Sequence, residues 1–268
     1  MLSDVASSTK VCWTTDEWYR YFKGNEVEPR RIPWDRGALL SAEEKAAVAG
    51  SLQEFQLGES SEGRHLLESA TVYSVGEHDP LYRDVMKLFI GEEQRHAREL
   101  GRFLTLAGIP LIRRSWPDTA FRWLRHRAGL EISITVLLTA EIISKVYYRA
   151  IRGATGCKVL QSLCDCILAD EEEHVRFQCE RLAIVRKQRT ACNLLLWHTW
   201  QRMLFVGTCF VVWWRHGRAI RAGGLGLWRF LSRAWQELSA AIVTMDPRCY
   251  ASADSRSARA RTPISVKC

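Results

Sequence analysis

The sequence predicts an all-α protein built on a four-helix bundle, with a long crossover between the second and third helices. Apolar residues recur at helical spacing in four long segments between residues 41 and 190, and glycine or proline residues separate these segments. Two of the segments contain a Glu-x-x-His motif, which points into the core when it occurs on bundle helices. The chain has 268 residues, 47% of them hydrophobic, which is enough to bury a large core.

Residues 1–40 are interpreted as an N-terminal arm rather than as part of the bundle. The segment is irregular, with Pro29 and Pro33, and it is rich in aromatic residues. We expect it to form a short helix that packs across the bundle, because large aromatic side chains gain most by burial. The aromatic residues concerned are Trp13, Trp18, Tyr19, Tyr21, Phe22 and Trp34.

The first two bundle helices are predicted at about 41–74 and 80–106. Ser41 is a good N-cap, and acidic residues follow it in the first turn. The second helix is expected to end at the Ala-Gly-Ile-Pro sequence of residues 107–110. Residues 109–127 then form a connection long enough for a crossover rather than a tight hairpin.

The third and fourth bundle helices are predicted at about 128–152 and 157–187. The third is apolar around most of its circumference, as is typical of a helix buried on several sides. Gly153 and Gly156 separate it from the fourth. The bundle therefore occupies residues 41–190.

Residues 191–245 are interpreted as additional, tryptophan-rich helices, and residues 246–268 as a disordered tail. The apolar run Met203–Trp214 is shorter than the roughly 20 residues that span a bilayer. Two interpretations stay open: a fifth helix packed on the bundle or in a homodimer interface, and a helix that lies in a membrane interface.

Charge is unevenly distributed along the chain. Residues 1–180 carry 23 basic and 27 acidic groups, whereas residues 181–268 carry 15 basic and 3 acidic groups. The basic C-terminal third is expected to meet an acidic carrier protein or an anionic membrane surface, with a solvated basic face as the alternative. No nucleic-acid partner is expected.

Cysteine spacing and the N-terminal sequence indicate the compartment. The nine cysteines include no Cys-x-x-Cys pair, which argues against a zinc ribbon and favours thiols in a reducing compartment. The first ten residues contain no apolar leader segment. We therefore expect a cytoplasmic protein, with a peripheral position at the inner membrane surface as a variant of that expectation.

The motifs EEQRH (92–96) and DEEEH (170–174) carry the chemistry. Residues three apart on a helix lie on the same face, so Glu93 with His96, and Glu171 with His174, can each offer an oxygen and a nitrogen inward. Glu141 lies in a stretch too apolar for an idle carboxylate.

The first helix offers a less certain ligand. Glu141 precedes Glu171 by 30 residues, and Glu62 precedes Glu93 by 31, so the two hairpins repeat nearly the same spacing. Glu62 is therefore the chosen ligand, with Glu59 as the reserve.

The ordered set Glu62, Glu93-x-x-His96, Glu141 and Glu171-x-x-His174 resembles the ferritin-like di-iron carboxylate superfamily over residues 41–188. The resemblance implies a ferritin-like bundle with two iron ions, O2 as co-substrate, and a Mn/Fe pair as a variant. It implies His96 with Glu62 on one iron and His174 with Glu141 on the other. Glu93 and Glu171 would bridge them.

Other residues are assigned supporting roles. The acids that precede the motif glutamates, Glu92 and Asp170, are at positions that in the oxygen-activating relatives often orient a ligand histidine. His65, one turn after Glu62, is a candidate additional ligand or hydrogen-bond donor. Tyr148, two turns after Glu141, is a candidate redox or substrate-facing residue, with simple packing as the alternative.

Three functions follow from these expectations. The first is an O2-dependent oxidoreductase, a hydroxylase, N-oxygenase or desaturase, which acts on a small organic substrate, either free or carrier-bound. It needs an electron donor such as a reductase or ferredoxin. The second is a ferroxidase or peroxide-scavenging protein. The third is a membrane-docking or scaffolding bundle without catalysis.

Overall fold

A computed structural model describes residues 12–60, 63–115 and 129–250, and within these ranges the chain forms helices and no β-strand. The predicted all-α class is confirmed. Ser61, Glu62, the crossover segment 116–128 and the tail 251–268 lie outside the described residues. The helices are α1 (Thr15–Val27), α2 (Ala42–Glu59), α3 (Arg64–Gly76), α4 (Leu81–Leu106), α5 (Leu130–Gly153), α6 (Lys158–Val185), α7 (Ala191–Ala222) and α8 (Leu227–Met245).

The bundle core is formed by α4, α5, α6 and the pair α2 and α3. The most extensive helix contact is between α5 and α6; α4 packs against α2, α3 and α6. Ser41 caps α2 as predicted, since its hydroxyl accepts a bond from the Glu44 amide and the Glu44 carboxylate accepts one from the Ser41 amide. The bounds of α4, α5 and α6 agree with the prediction to within about two residues at each end, the usual scatter of helix termini.

The first bundle helix differs from the prediction, because it is two helices rather than one. It ends at Glu59 and resumes at Arg64. Gly63 has a φ of +63°, in the left-handed region that glycine adopts at little cost. A Cβ atom at this position would lie 2.7 Å from the side chain of Ile90 on α4, so only glycine allows this close approach. The break therefore lies directly against α4.

The N-terminal arm packs on the bundle through α1. Trp18 and Phe22 are fully buried, and α1 lies against α4. The Trp18 indole N–H donates a 3.0 Å hydrogen bond to Glu180 on α6. An aromatic side chain that is buried with its polar atom satisfied fixes the arm firmly to the bundle.

The C-terminal helices form a layer over the bundle. α7 packs on α2 and α5, and α8 packs on α5 and α6. α7 extends to Ala222. The buried Lys145 of α5 pairs with Glu172 of α6 and Glu237 of α8, which ties the layer to the bundle. No helix among the described residues is long and apolar enough to cross a membrane.

Candidate metal centre

Two histidines from facing helices meet in the middle of the bundle. His96 of α4 and His174 of α6 are almost completely buried, and their ring centroids are 5.8 Å apart. Each follows its motif glutamate by three residues, so helical geometry turns both members of each motif toward the same space. The α4–α6 contact therefore brings the two Glu-x-x-His motifs together.

Each imidazole is held by a carboxylate from the opposite helix. The Nε2 atom of His174 lies 2.8 Å from Glu92 of α4, and that of His96 lies 3.1 Å from Asp170 of α6. Because an ionised carboxylate only accepts hydrogen bonds, these contacts place a proton on Nε2 of each ring. The Nδ1 atoms are left to face the space between the helices, as a metal ligand requires.

Asp170 is itself held by two arginines. It accepts hydrogen bonds from Arg95 of α4 at 2.7 Å and from Arg30, just beyond α1, at 3.3 Å. Burial alone would raise the pKa of Asp170, but the His96 hydrogen bond and the surrounding positive charges hold it well below its usual range. Asp170 is therefore an ionised acceptor over the whole physiological pH range.

Four glutamates surround the inward-facing imidazole nitrogens. Glu59, Glu93, His96 and Glu171 can each place one ligand atom within 4.8 Å of the others, and Glu93, Glu141 and His174 form a second such group. Glu93 belongs to both groups, which is the position of a carboxylate that bridges two ions. Glu171 belongs only to the first group at this distance.

The acid–base properties of the cluster reflect its crowding. Burial, followed by the charge of Glu93, raises the pKa values of Glu59 and Glu171 well above the ordinary value. Burial also opposes ionisation of Glu93, but the neighbouring histidines, His174 first, hold its pKa below the ordinary value. The carboxylates of Glu92 and Glu93 outweigh burial at His174 and raise its pKa. Carboxylates this close can all ionise only when cations compensate their charge, and otherwise some of them keep a proton.

The buried polar atoms of the cluster fit a metal ion. Among the described residues, the atoms of the cluster without a hydrogen-bond partner include Glu93 Oε1, His96 Nδ1, Glu171 Oε2 and His174 Nδ1. The Glu93 Oε1 and His174 Nδ1 atoms lie 2.9 Å apart without hydrogen-bond geometry. Atoms this close that do not bond to each other are what two ligands of one ion require. Buried polar atoms are rarely left unsatisfied, so the group could hold a metal.

The structure brings most of the predicted site residues together. Glu62 lies outside the described residues, so its choice stays a prediction, and the reserve candidate Glu59 lies in the cluster. His65 belongs to neither ligand group and lies 3.9 Å from Glu68 on its own helix. The Tyr148 hydroxyl donates a 2.9 Å hydrogen bond to Glu59, so this tyrosine contacts the cluster.

Sequence reasoning missed the arm's contribution to the cluster. Arg30 contacts Asp170 from a segment that is 140 residues away in the chain, and the Phe22 ring of α1 lies tilted against the His174 ring, 6.0 Å away between centroids. The aromatic composition of residues 11–40 indicated burial against the bundle. Nothing in that pattern specified which face of the bundle the arm would cover.

A cavity of ≈ 200 Å³ adjoins the cluster. Five glutamates line it, four of them members of the cluster, and apolar side chains and residues of α7 form much of the rest of the wall. The cluster members are Glu59, Glu93, Glu141 and Glu171, and the α7 residues are Thr208, Val212 and His216. Helix α7, which lies outside the four-helix bundle, thus forms part of the cavity wall.

Fold and site together define a class: an all-α bundle whose buried glutamates and histidines could hold a metal ion. Comparison with known proteins adds no narrower assignment, since no family model, curated protein or solved structure matches the chain. The ferritin-like resemblance therefore depends on the motif order and on the geometry of the cluster.

Proposed function

We propose that this protein is a non-haem di-iron oxidoreductase that uses O2 to oxidise a small organic substrate. The crossed pairing of the two histidines carries the proposal. Each Nε2 is fixed by a carboxylate of the other helix, and each Nδ1 faces the shared glutamate cluster. That is the arrangement of donors expected around a two-ion centre in a helical bundle.

The donor set favours iron or manganese over softer metals. Carboxylate oxygens outnumber imidazole nitrogens, and no thiolate belongs to either group of candidate ligands among the described residues. Glu59 and His96 would hold one ion, and Glu141 and His174 would hold the other. Glu93 would bridge the two ions, and Glu171 lies beside the group formed by Glu59 and His96. When bound, a pair of Fe(II) ions would supply part of the electrons that O2 reduction needs; the organic substrate would supply the rest, and an external electron donor would re-reduce the irons.

The remaining residues prepare the centre. Phe89 lies 4.8 Å from the His174 ring and, with Phe22, shields it from water. A dry surrounding strengthens each electrostatic contact in the cluster. Tyr148 orients the Glu59 carboxylate through its hydroxyl. These residues hold the ligands before a metal arrives, so little reorganisation is needed on binding.

The cavity favours an organic substrate over iron or peroxide alone. Its glutamates and its apolar wall lie side by side, so a molecule bound there would have apolar contacts on one flank and the cluster on the other. At ≈ 200 Å³ it is smaller than the roughly 300–1,000 Å³ of pockets for drug-sized ligands. We infer a correspondingly small substrate, or a narrow part of a larger one.

Metal loading under anaerobic conditions tests the proposal. The full chain should bind about two Fe(II) ions, consistent with a two-ion centre, and should give a transient oxidised optical species on mixing with O2. His174→Ala and Glu141→Ala should each abolish that species. His65→Ala, a histidine outside the cluster, is the matched control and should behave like the wild type.

Two outcomes would overturn the assignment. Fewer than about two irons per chain, or no optical change with O2, would exclude a di-iron oxidase centre. Sustained turnover of Fe(II) or H2O2 with no requirement for an organic co-substrate would instead assign the ferroxidase or peroxide-scavenging function.

A further inference from the structure

The outer face of α7 carries a continuous stripe of exposed apolar side chains. Met203 is 72% exposed, Phe210 53% and Trp214 72%. At 100° per residue these positions fall on one side of the helix. The full set, here called the α7 stripe, is Leu195, Leu196, Trp200, Met203, Val206, Phe210 and Trp214.

Helix α8 extends this apolar surface. Trp228 is 80% exposed, and Trp235 and Val243 are also exposed. Both α7 and α8 pack on α5, so their outer faces lie on the side of the protein away from the bundle. Exposed apolar side chains in such numbers on two helices that pack against each other usually mark an interaction surface.

Positive charge surrounds the apolar residues. Residues 187–250 contain nine basic and two acidic side chains. Both acids are paired with basic groups: Glu237 with Lys145 and Arg149, and Asp246 with Arg248. Arg218, Arg229 and Arg233 are exposed on α7 and α8. The occupant of this surface must therefore be apolar at its centre and negative at its edge.

We propose that the α7 stripe and the exposed tryptophans of α8 dock the protein on an anionic lipid bilayer. Tryptophan is favoured at the membrane–water interface, and arginine is attracted to anionic headgroups at about 1 kcal/mol for each residue near the surface. A second copy of the chain fits less well. A two-fold dimer brings the same patch of both subunits together, and here that would oppose arginine to arginine.

The docked orientation places the candidate metal centre close to the lipid. Thr208, Val212 and His216 line the cavity, and they are offset by two residues, about 200°, from Val206, Phe210 and Trp214 on the same helix. One helix, about 10 Å thick, therefore separates the cavity from the membrane face. The docking proposal itself does not depend on metal binding.

Vesicle flotation of the full chain tests the proposal. We expect it to float with vesicles that contain about one-third phosphatidylglycerol and not with pure phosphatidylcholine, and to be released by high salt. Phe210→Ser with Trp214→Ser should weaken partitioning at least about tenfold. Arg229→Gln and Arg233→Gln should each weaken it about fivefold.

Matched controls separate docking from folding. Val72→Ser with Val75→Ser removes two exposed apolar side chains of α3, and Arg83→Gln removes an exposed charge of α4. These should float like the wild type, and all variants should keep the wild-type circular dichroism spectrum.

Several results would overturn the proposal. These are a failure to float with anionic vesicles, equal flotation with neutral vesicles, or unchanged flotation of the Phe210/Trp214 variant. A dimer in sedimentation analysis that this variant dissociates would assign the surface to a second copy. Binding of an acidic carrier protein without vesicle binding would assign it to that partner.

Discussion

Replacing Glu92 with glutamine tests whether the acid beside the second-helix motif supports metal binding. The glutamine side chain keeps the size of glutamate and can still accept a hydrogen bond from His174 Nε2, which lies 2.8 Å from Glu92 in the unmodified protein. Only the negative charge is lost. The variant therefore isolates the electrostatic contribution of Glu92 from its packing.

Two effects of the lost charge oppose each other. Burial lowers the pKa of His174, but the Glu92 and Glu93 carboxylates raise it above the ordinary value. Without the Glu92 charge the imidazole binds its proton less tightly, which eases metal binding. The Glu92 carboxylate, however, attracts a divalent metal ion about twice as strongly as it attracts a proton at equal distance. Its loss therefore weakens metal binding more than it weakens proton binding. The net result is weaker metal binding, by about 10- to 100-fold, the usual cost of losing such a partner.

Anaerobic Fe(II) titration calorimetry measures this difference. Glu99→Gln is the matched control, because it removes one charge from the same helix without touching an imidazole hydrogen bond. It should lose less than about threefold in affinity, or 0.7 kcal/mol. Glu92 makes no specific electrostatic contribution to metal binding if Glu92→Gln binds iron as tightly as the wild type, or if Glu92→Gln and Glu99→Gln lose affinity equally.

Three further predictions concern the surroundings of the cluster. Tyr148→Phe removes the hydroxyl bound to the cluster and should weaken Fe(II) binding about tenfold, the typical value of a hydrogen bond to a charged group. Gly63→Ala should destabilise the fold by about 2–6 kcal/mol in urea unfolding, because a left-handed φ and overpacking each cost about 1–3 kcal/mol. Burial lowers the pKa of His216 from 6.5 to about 4. The unfolded chain therefore takes up the proton first as the pH falls between these values, and the fold should lose about 2 kcal/mol by pH 5, a loss that His216→Asn should remove.

Each of these predictions has its own control. Tyr147 bonds to Ser51 rather than to the cluster, so Tyr147→Phe should leave Fe(II) affinity unchanged. Ile90→Ala should relieve the contact part of the Gly63→Ala cost in a double-mutant cycle. If wild type and His216→Asn show the same loss of unfolding free energy between pH 7.5 and pH 5, burial of His216 is not its source.

Helical periodicity predicted most of the fold because it reports on burial. The apolar pattern of α4, α5 and α6 is continuous, glycine or proline lies close to the start of each helix, and glycine lies at the end of α4 and α5. The same pattern could not show the orientation of α1, because a short aromatic helix can pack against many surfaces. Its contacts with Glu180 and Asp170 depend on tertiary distances that no local pattern encodes.

The first bundle helix shows the limit of ranking candidate ligands by their spacing along the chain. The choice of Glu62 assumed that matched spacings of 30 and 31 residues imply matched positions, which holds only for unbroken helices. One helix instead ends at Glu59, and the next begins at Arg64. The two serines and Gly63 in this stretch are the local signal of that break, since serine and glycine favour turns over helix interiors. A break changes the angular phase of every later residue, so Glu59 and Glu62 cannot be ranked by spacing alone.

The crossed pairs also explain why an acid precedes each motif glutamate. Adjacent residues on a helix point 100° apart, so Glu93 can face the cluster while Glu92 faces the opposite helix. Glu92 then holds His174, and Asp170 holds His96 in return. A shift of α4 along α6 by one turn, 5.4 Å, would break both pairs at once. The orientation of each imidazole thus depends on the register of the two helices, and correct packing of α4 against α6 is what prepares both Nδ1 atoms for a metal.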